Sequence, residues 1–353
     1  FHTIFNQAIL SSLGLITTQE RKDIFNKNLN KYRTRVRAED IEITLSRIKD
    51  TLLYEKKEVD YNGTNTVFGQ LFQQRKRIPN KKNYLCKISD RLFTVKLQGE
   101  GSTDYSGPYN EVISIISNEL QSDYLNMIIK TPNNKHDIGI LRDKYIPNPL
   151  ATKLLHKEMY NFLGLLMVHA LSSGNLISLD LHPIFFKKLL KHKVTFDDIE
   201  SLDKYNYKLL TSLEKIKDSK EFDEINEKYD LHFAVNSSNT NSDNNSMHVI
   251  DLIQNGSKIK VTFTRLNEYI KLYKEFLLTE FYPQIKYISE GFFSILPENI
   301  ASLLTSEDLE DLVCGTSKID LRILKDRTLY EDSIFPKVLF EDGNMEEREY
   351  KTY

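Results

Sequence analysis

The sequence is poor in cysteine, with only Cys86 and Cys314 among 353 residues. Two cysteines are too few for a disulfide framework or a zinc site, and they fit a reducing compartment. The eight histidines show no spacing typical of metal ligands. We therefore expect a cytoplasmic protein, with the nucleus as the alternative location, that uses no metal or other cofactor.

Long apolar runs and an excess of one charge are also missing. No stretch of about 18 uninterrupted apolar residues occurs, so no transmembrane helix is predicted. The formal net charge is −2, which gives no electrostatic reason to expect binding to nucleic acid or to an anionic membrane. With 40% hydrophobic and 28% charged residues, the composition is that of a soluble globular protein of one large domain or two.

The most informative feature that is present is the segment from residue 91 to residue 121. Apolar and polar residues alternate from Phe93 to Leu97, which predicts a strand with one apolar face. An acidic loop framed by Gly99 and Gly101 follows. Pro108 then suits the first turn of a helix whose apolar residues recur at helical spacing. The segment therefore predicts a strand, a polar loop and a capped amphipathic helix in that order.

The loop GEGSTDYSG is a weak candidate for phosphate binding. It lacks the Lys and the Ser or Thr that contact phosphate and Mg²⁺ in a P-loop, and its spacing does not fit the dinucleotide fingerprint. Glu100 and Asp104 would also repel a phosphate group. Nucleotide binding is therefore not expected.

Neither cysteine has the sequence surroundings of a nucleophile. Cys314 lies near a predicted helix C-terminus, where the dipole raises a thiol pKa, and Cys86 has no base within its segment. Both are predicted to pack as small hydrophobic residues. The adjacent carboxylates at 197–198 and 307–308 lie in the first turns of predicted helices, which they stabilise. Residue chemistry alone indicates no active site.

The remainder of the chain is predicted to be mainly helical. Residues 132–149 contain three prolines and predict a surface loop. Residues 150–171 form the most hydrophobic stretch and predict a central buried helix. Further helical segments are predicted to begin near Pro183, Thr195, Thr264, Pro283 and Thr305.

Two local signals stand out between these helices. Residues 236–246 are almost entirely Asn, Ser, Thr and Asp, which predicts a mobile loop. The pair Asn255-Gly256 lies between two apolar runs, residues 248–253 and 258–263. This arrangement predicts that the two runs pair as a β-hairpin.

Residues 202–263 form a candidate docking surface. They combine an amphipathic helix with strands and a loop, and they lie between two strongly apolar helical blocks. Leu210, Leu213 and Ile216 follow the apolar side of that helix and are candidates to line a groove. The alternative is that these residues pack onto their own hairpin.

The ordered motifs resemble the amino-terminal lobe of the HECT family of ubiquitin ligases. VKLQGEGSTDYSGPYNEVISIISNEL is similar to the family's strand, glycine-acid loop and helix, and MYNFLGLLMVHAL to its central helix. LIQNGSKIKVT resembles its hairpin, and DLEDLVCGTSKID resembles its closing signature. The matching stretch runs from Phe68 to Tyr330, and TVFGQLFQQ looks most like the large HECT ligases that carry RCC1-type repeats.

The resemblance implies an α+β fold that is predominantly helical, with a large helical subdomain and a small α/β subdomain. The small subdomain would bind a ubiquitin-conjugating enzyme. The expected organisation is an amino-terminal extension at 1–66, the large subdomain at 67–193 and 264–335, the conjugating-enzyme-binding subdomain at 194–263, and a tail at 336–353 towards a carboxy-terminal lobe.

The resemblance also implies where a conjugating enzyme charged with ubiquitin would bind. Carried over by position, the expected site consists of Leu209, Leu210, Leu213, Ile216, Leu231, Phe233 and Tyr269. An apolar site of this kind accepts an exposed aromatic of its partner across about 1,200 Å² or less, with roughly micromolar affinity. Ubiquitin is the second expected partner, and protein substrates are expected to bind regions outside this chain.

In the family, the nucleophile is a cysteine of a carboxy-terminal lobe, and no motif of this sequence matches its surroundings. Cys314 aligns instead with the structural cysteine of the closing signature. The resemblance therefore implies a lobe that docks the donor for a longer ligase, which passes ubiquitin to its own cysteine and then to a substrate lysine. This lobe alone is expected to be inactive. A non-catalytic scaffold derived from the fold, or an unrelated helical interaction domain, are the alternatives.

Overall fold

The computed structural model describes residues 15–32, 41–56, 58–60, 62–75, 91–100, 107–240 and 247–315, together with the single residues 321, 322, 325 and 328. The chain divides into two compact units, Phe1–Gly315 and Thr316–Tyr353. All elements named below belong to the first unit. Within the described residues, no helix is both long enough and apolar enough to cross a lipid bilayer.

Helices dominate the first unit, and the strands are short. The helices are α1 (Thr18–Leu29), α2 (Arg47–Lys56), α3 (Val67–Gln74), α4 (Gly107–Leu120), α5 (Pro132–His136), α6 (Leu154–Ser173), α7 (Pro183–Leu189), α8 (Asp198–Leu202), α9 (Lys204–Leu213), α10 (Ser219–Tyr229), α11 (Leu266–Thr279), α12 (Tyr282–Phe293), α13 (Glu298–Ala301) and α14 (Ser306–Cys314). The strands are β1 (Glu42–Leu45), β2 (Thr94–Leu97), β3 (Ile128–Lys130), β4 (Tyr145–Pro147), β5 (Ala234–Thr240) and β6 (Met247–Asp251).

The core is organised around the crossing of α6 and α12. A Cβ atom added to Gly164 of α6 would lie 2.1 Å from the carbonyl oxygen of Ile288 in α12. A Cβ atom added to Gly291 of α12 would lie 1.9 Å from the carbonyl oxygen of Asn161 in α6. Each helix therefore contributes one glycine to a contact of backbone against backbone, which any larger residue would force apart.

The strand and helix predicted within residues 91–121 are confirmed as β2 and α4. The strand β2 pairs in parallel with β1, so that Ile43 lies opposite Val95 and both are buried. Gly99 ends the strand with a positive φ of 84°, which favours glycine. Residues 101–106 of the acidic loop lie outside the described residues. Arg47 forms ion pairs with both Glu100 and Glu111, so the charge of Glu100 is paired within the protein.

The predicted hairpin of residues 248–253 and 258–263 is wrong. Strand β6 pairs with β5 instead, in antiparallel register with Val235 opposite Ile250. Gly256 opens a 3₁₀ turn, where an added Cβ would lie only 2.0 Å from the carbonyl oxygen of Phe233. The Asn-Gly signal therefore marks a close approach of two backbones rather than a hairpin turn.

Other segments also differ from the sequence-based prediction. Residues 236–240, predicted as part of a mobile loop, belong to β5, and 241–246 lie outside the described residues. The predicted loop at 132–149 contains α5 and β4. The predicted central helix is confirmed as α6, which begins at Leu154 and ends before Gly174.

A buried polar pair joins α4 to α6. The hydroxyl of Tyr109 lies 2.8 Å from Nε2 of His169, and both side chains are shielded from solvent. Burial lowers the pKa of His169 to about 3, so the imidazole is neutral in the folded protein. The pair lets α4 pack on the central helix without leaving the tyrosine hydroxyl unpaired.

Replacing Gly291 by alanine is expected to lower the free energy of unfolding by about 3 kcal/mol, because the added methyl group overpacks the helix crossing. Urea denaturation followed by circular dichroism measures the change. Gly107→Ala is the matched control, since an added Cβ at Gly107 meets no atom within 4 Å. Equal stability of the two variants would contradict the proposed crossing.

Acidification is expected to destabilise the protein through His169. The unfolded chain binds a proton at this residue near pH 6.5, whereas the folded protein binds it only near pH 3. The free energy of unfolding should therefore fall by about 1.4 kcal/mol for each pH unit between these values. His169→Gln, which keeps a neutral partner for Tyr109, should have a shallower slope in denaturation curves recorded from pH 7 to pH 5. An unchanged slope would contradict this assignment.

A candidate partner-binding groove

An open groove of about 420 Å³ lies in the part of the chain that was predicted to be a docking surface. Helix α9 forms one wall, the end of α10 with strands β5 and β6 forms another, and α11 contributes to the floor. Its lining residues are Tyr205, Asn206, Leu209, Tyr229, Asp230, Leu231, His232, Ala234, Val235, Asn236, Val249, Ser257, Tyr269 and Tyr273.

Helix α9 separates its side chains into an inward and an outward set. It begins after Asp203, whose carboxylate accepts a hydrogen bond of 3.0 Å from the backbone N–H of Asn206. Leu210 and Leu213 point into the core and are almost fully buried. Tyr205 and Leu209 are four residues apart and line the groove.

An aromatic cluster supports the floor. Phe233 is fully buried and meets the ring of Tyr269 edge-on, with 5.7 Å between the ring centroids. The ring of Tyr273 lies 5.7 Å beyond Tyr269, and its hydroxyl donates a 2.8 Å hydrogen bond to Oδ1 of Asn206. Burial raises the pKa of Tyr269 to about 12, so its phenol is neutral at physiological pH. The floor is therefore uncharged and firmly packed.

Three large side chains of the groove remain exposed to solvent. Tyr205 is 56% exposed, Tyr229 is 42% exposed and Val249 is 53% exposed. These residues come from three different elements and meet around one depression. A cluster of exposed apolar side chains around a concave surface is typical of a site that binds another protein.

One side of the groove carries a polar rim. Lys260 and Asp230 form an ion pair of 2.8 Å, and both side chains are exposed. His232 Nδ1 lies 2.7 Å from the backbone carbonyl of Asp230, so this nitrogen donates the hydrogen bond. Exposed pairs of this kind add little stability but orient an approaching partner.

The seven residues carried over from the resemblance fall into two groups. Leu209, Leu231 and Tyr269 line the groove. The other four do not line it and are buried in the core, namely Leu210, Leu213, Ile216 and Phe233. Of these four, Phe233 supports the groove through its contact with the ring of Tyr269.

The sequence analysis did not predict the three exposed apolar residues around the groove, Tyr205, Tyr229 and Val249, which we call the exposed rim. Tyr205 precedes Leu209 by one helical turn, and this spacing was the available signal. Tyr229 ends α10, a helix for which no prediction was made, and Val249 belongs to the strand that was assigned the wrong partner.

Cys314 is not arranged as a nucleophile. Its side chain packs against the hydrophobic core at the end of α14, and burial raises the pKa of the thiol to about 12. The prediction that Cys314 is structural therefore agrees with its surroundings. Cys86 lies outside the described residues.

Two of the carboxylates that were predicted to stabilise helix ends do so. Asp308 forms a capping box with Thr305 at the start of α14, and its carboxylate also binds Arg21 of α1 at 2.6 Å. Asp198 accepts a 2.8 Å hydrogen bond from the backbone N–H of Thr195 before α8. These contacts account for both side chains without acid-base catalysis.

Comparison with known proteins agrees with this architecture. A family model described as HECT-domain (ubiquitin-transferase) matches residues 114–342, nearly two thirds of the chain. The E3 ubiquitin-protein ligase HERC2 of Homo sapiens is 29% identical over 319 residues, which cover 90% of this chain and 6% of the relative. HUWE1 of Mus musculus is 28% identical over 246 residues, which cover 69% of this chain and 5% of the relative.

A third relative, the E3 ubiquitin-protein ligase TOM1-like of Neurospora crassa, is 28% identical over 254 residues, or 70% of this chain and 6% of the relative. The chain thus spans about one twentieth of the length of these relatives. The match confirms the resemblance drawn from the motifs, and the helix-rich α+β fold is that of the family's amino-terminal lobe. The chain belongs to the HECT family of ubiquitin-transferase domains.

Proposed function

We propose that the groove between α9, α10, β6 and α11 docks a ubiquitin-conjugating enzyme that carries ubiquitin as a thioester. The observation that carries this proposal is the set of exposed apolar side chains around the groove, Tyr205, Tyr229 and Val249, on a chain of the HECT family. A conjugating enzyme is the donor from which a HECT ligase receives ubiquitin.

The chemistry of the groove suits a small apolar anchor. Tyr269 and Leu231 offer an uncharged, packed floor on which an aromatic or aliphatic side chain of the partner loses its water. Tyr205 and Tyr229 at the exposed rim are amphipathic, so their rings can contact a partner while their hydroxyls remain hydrated. A small interface of this kind gives roughly micromolar affinity. Weak binding suits a step after which the partner must leave to be recharged.

Transfer would then proceed on a part of the ligase outside this chain. The side chain of Cys314 is partly buried and the pKa of its thiol is raised to about 12, so the thiol is protonated at physiological pH and is not expected to accept ubiquitin. We infer that the acceptor cysteine belongs to a carboxy-terminal lobe of the longer protein, which then passes ubiquitin to a substrate lysine. Substrates would bind other regions of that protein. This chain would supply the docking step alone.

Substitutions at the exposed rim test the docking site. Tyr205→Ala and Val249→Asp should each weaken binding of a cognate conjugating enzyme at least about tenfold, because they remove exposed apolar contact area that lines the groove. Isothermal titration calorimetry with a panel of ubiquitin-conjugating enzymes measures the affinity. Both side chains are more than half exposed, so circular dichroism and thermal stability should stay close to wild type.

Tyr282→Ala is the matched control for Tyr205→Ala. Tyr282 is 54% exposed, at the start of α12, and does not line the groove. Leu213→Asp is unsuitable, because a charge at a side chain 1% exposed would unfold this region. Equal binding by wild type and both rim variants would refute the docking site.

Exposure to ubiquitin thioester tests the role of Cys314. Incubation of this chain with activating enzyme, conjugating enzyme, ubiquitin and ATP should give no adduct that dithiothreitol releases, because a thiol with a pKa of about 12 is protonated at neutral pH. Non-reducing electrophoresis detects such an adduct. A band on the wild-type chain that disappears in Cys314→Ser would contradict the assignment, and one that disappears in Cys86→Ser would place an acceptor within this chain.

A further inference from the structure

The chain enters the groove region through α8 and leaves it between α11 and α12. The direction in which the groove faces, relative to the central helices, therefore depends on how these two crossings are held. At the exit, Nζ of Lys188 in α7 donates a hydrogen bond to the carbonyl oxygen of Leu278, and it lies 5.5 Å from the ring centroid of Phe281. The exit is thus tied to α7.

One side chain holds the entrance. Asn133 of α5 is fully buried. Its Nδ2 donates to the carbonyl oxygens of Glu200 and Ser201, at 3.1 and 2.8 Å. Its Oδ1 accepts a 2.8 Å hydrogen bond from the backbone N–H of Lys204, the first residue of α9. Asn133 therefore binds the last turn of α8 and the first residue of α9 at the same time.

The space around Asn133 is closely fitted. Gly139 has a positive φ of 72°, and a Cβ added there would lie 2.9 Å from Nδ2 of Asn133 and 3.2 Å from the side chain of Lys204. Nδ2 also lies 3.3 Å from the carbonyl oxygen of Ile140. The loop after α5 thus encloses the amide, which has little room to change its bonds.

Further contacts fix α8 against α7 from the other side. Lys187 and Asp198 form an ion pair of 2.6 Å. Nδ1 of His182 accepts a hydrogen bond from the backbone N–H of Ile184, so the proton of the neutral imidazole is on Nε2. Nε2 then donates a hydrogen bond to the hydroxyl of Ser201, 3.2 Å away. The short helix α8 is therefore held between α5 and α7.

We propose that Asn133 is a positioning residue, which fixes the direction of the groove relative to the α6–α12 crossing without touching the bound partner. Asn133 does not line the groove. The inference rests on the proposed function only in so far as the groove receives a conjugating enzyme. A donor thioester must meet its acceptor within a narrow range of distance. A groove free to change its orientation would therefore bind the donor with the same affinity as a fixed groove but would bring it to the acceptor less often.

A distance measurement tests this restraint without any partner. Spin labels at Lys208→Cys in α9 and Leu154→Cys in α6, both exposed sites, report the separation of the groove helix from the central helix. The background is Cys86→Ser with Cys314→Ala. The parent should give one narrow distance distribution by double electron–electron resonance. Asn133→Ala should give a distribution roughly twofold wider, or two populations.

Asn148→Ala is the control for a loss of stability without a loss of position. Asn148 is also a buried asparagine, and it binds backbone groups of Asn126 and Leu150 in the region that carries α6. Each sample is measured at the same interval below its own melting temperature. A distribution in Asn133→Ala as narrow as that of the parent overturns the proposal, and so does equal broadening in Asn148→Ala.

A binding arm separates this inference from the proposed function. A conjugating enzyme that binds the parent should bind Asn133→Ala with an affinity changed by no more than about twofold, because the groove itself is intact. A loss as large as that of Tyr205→Ala would show that Asn133 builds the groove, and would overturn the positioning role. If no conjugating enzyme binds the parent, the proposed function fails, and the distance measurement still decides the inference.

Discussion

The close crossing of α6 and α12, where Gly164 lies against the backbone of Ile288 and Gly291 against that of Asn161, is the constraint on which the rest of the structure depends. Two helices whose backbones touch cannot rotate or slide without a clash, so α6 and α12 act as one rigid unit. The other elements take their places from it. His169 of α6 forms a hydrogen bond with the hydroxyl of Tyr109 in α4. The hydroxyl of Tyr160, also in α6, donates to the carbonyl oxygen of Met127 just before β3. The chain that leads into α12 is α11, the helix whose tyrosines support the groove.

In the groove, packing into the core and exposure to solvent are divided between different side chains of the same short elements. Leu210 and Leu213 anchor α9 to the core, while Tyr205 and Leu209, on a different face of that helix, reach the surface. Phe233 is likewise fully buried, with its ring edge-on to the ring of Tyr269. Because the buried set holds the helix in place, the exposed set can change with little loss of stability. The proposed docking site could therefore change its preference for a partner on a constant fold.

Signals that act within one element could be predicted from the sequence, whereas pairings between distant segments could not. The apolar run that became α6 and the cap at Thr305 are local, and they were predicted correctly. The alternation at Phe93–Leu97 predicts a strand with one apolar face. It carries no information about the pairing of that strand with β1, some fifty residues earlier in the chain. For the site, the apolar helix and the region of the groove were predictable. Whether Leu210 and Leu213 point into the core or into the groove was not predictable, because that depends on the residues packed against the helix.

Gly256 illustrates the same limit from the opposite direction. A sequence motif of two residues is read as a turn, yet the glycine is required by the carbonyl of Phe233, more than twenty residues away.

The boundary of the domain is a second feature that depends on contacts between distant segments. The family match begins at residue 114, but the carboxylate of Glu119 in α4 accepts the backbone N–H groups of Val67 and Phe68 at the start of α3. The relative HERC2 matches 90% of the chain. Because helix α3 is capped by a residue inside the family match, α3 belongs to the same fold as α4, and a lobe cut at residue 114 would expose this carboxylate and the core residues that α3 covers.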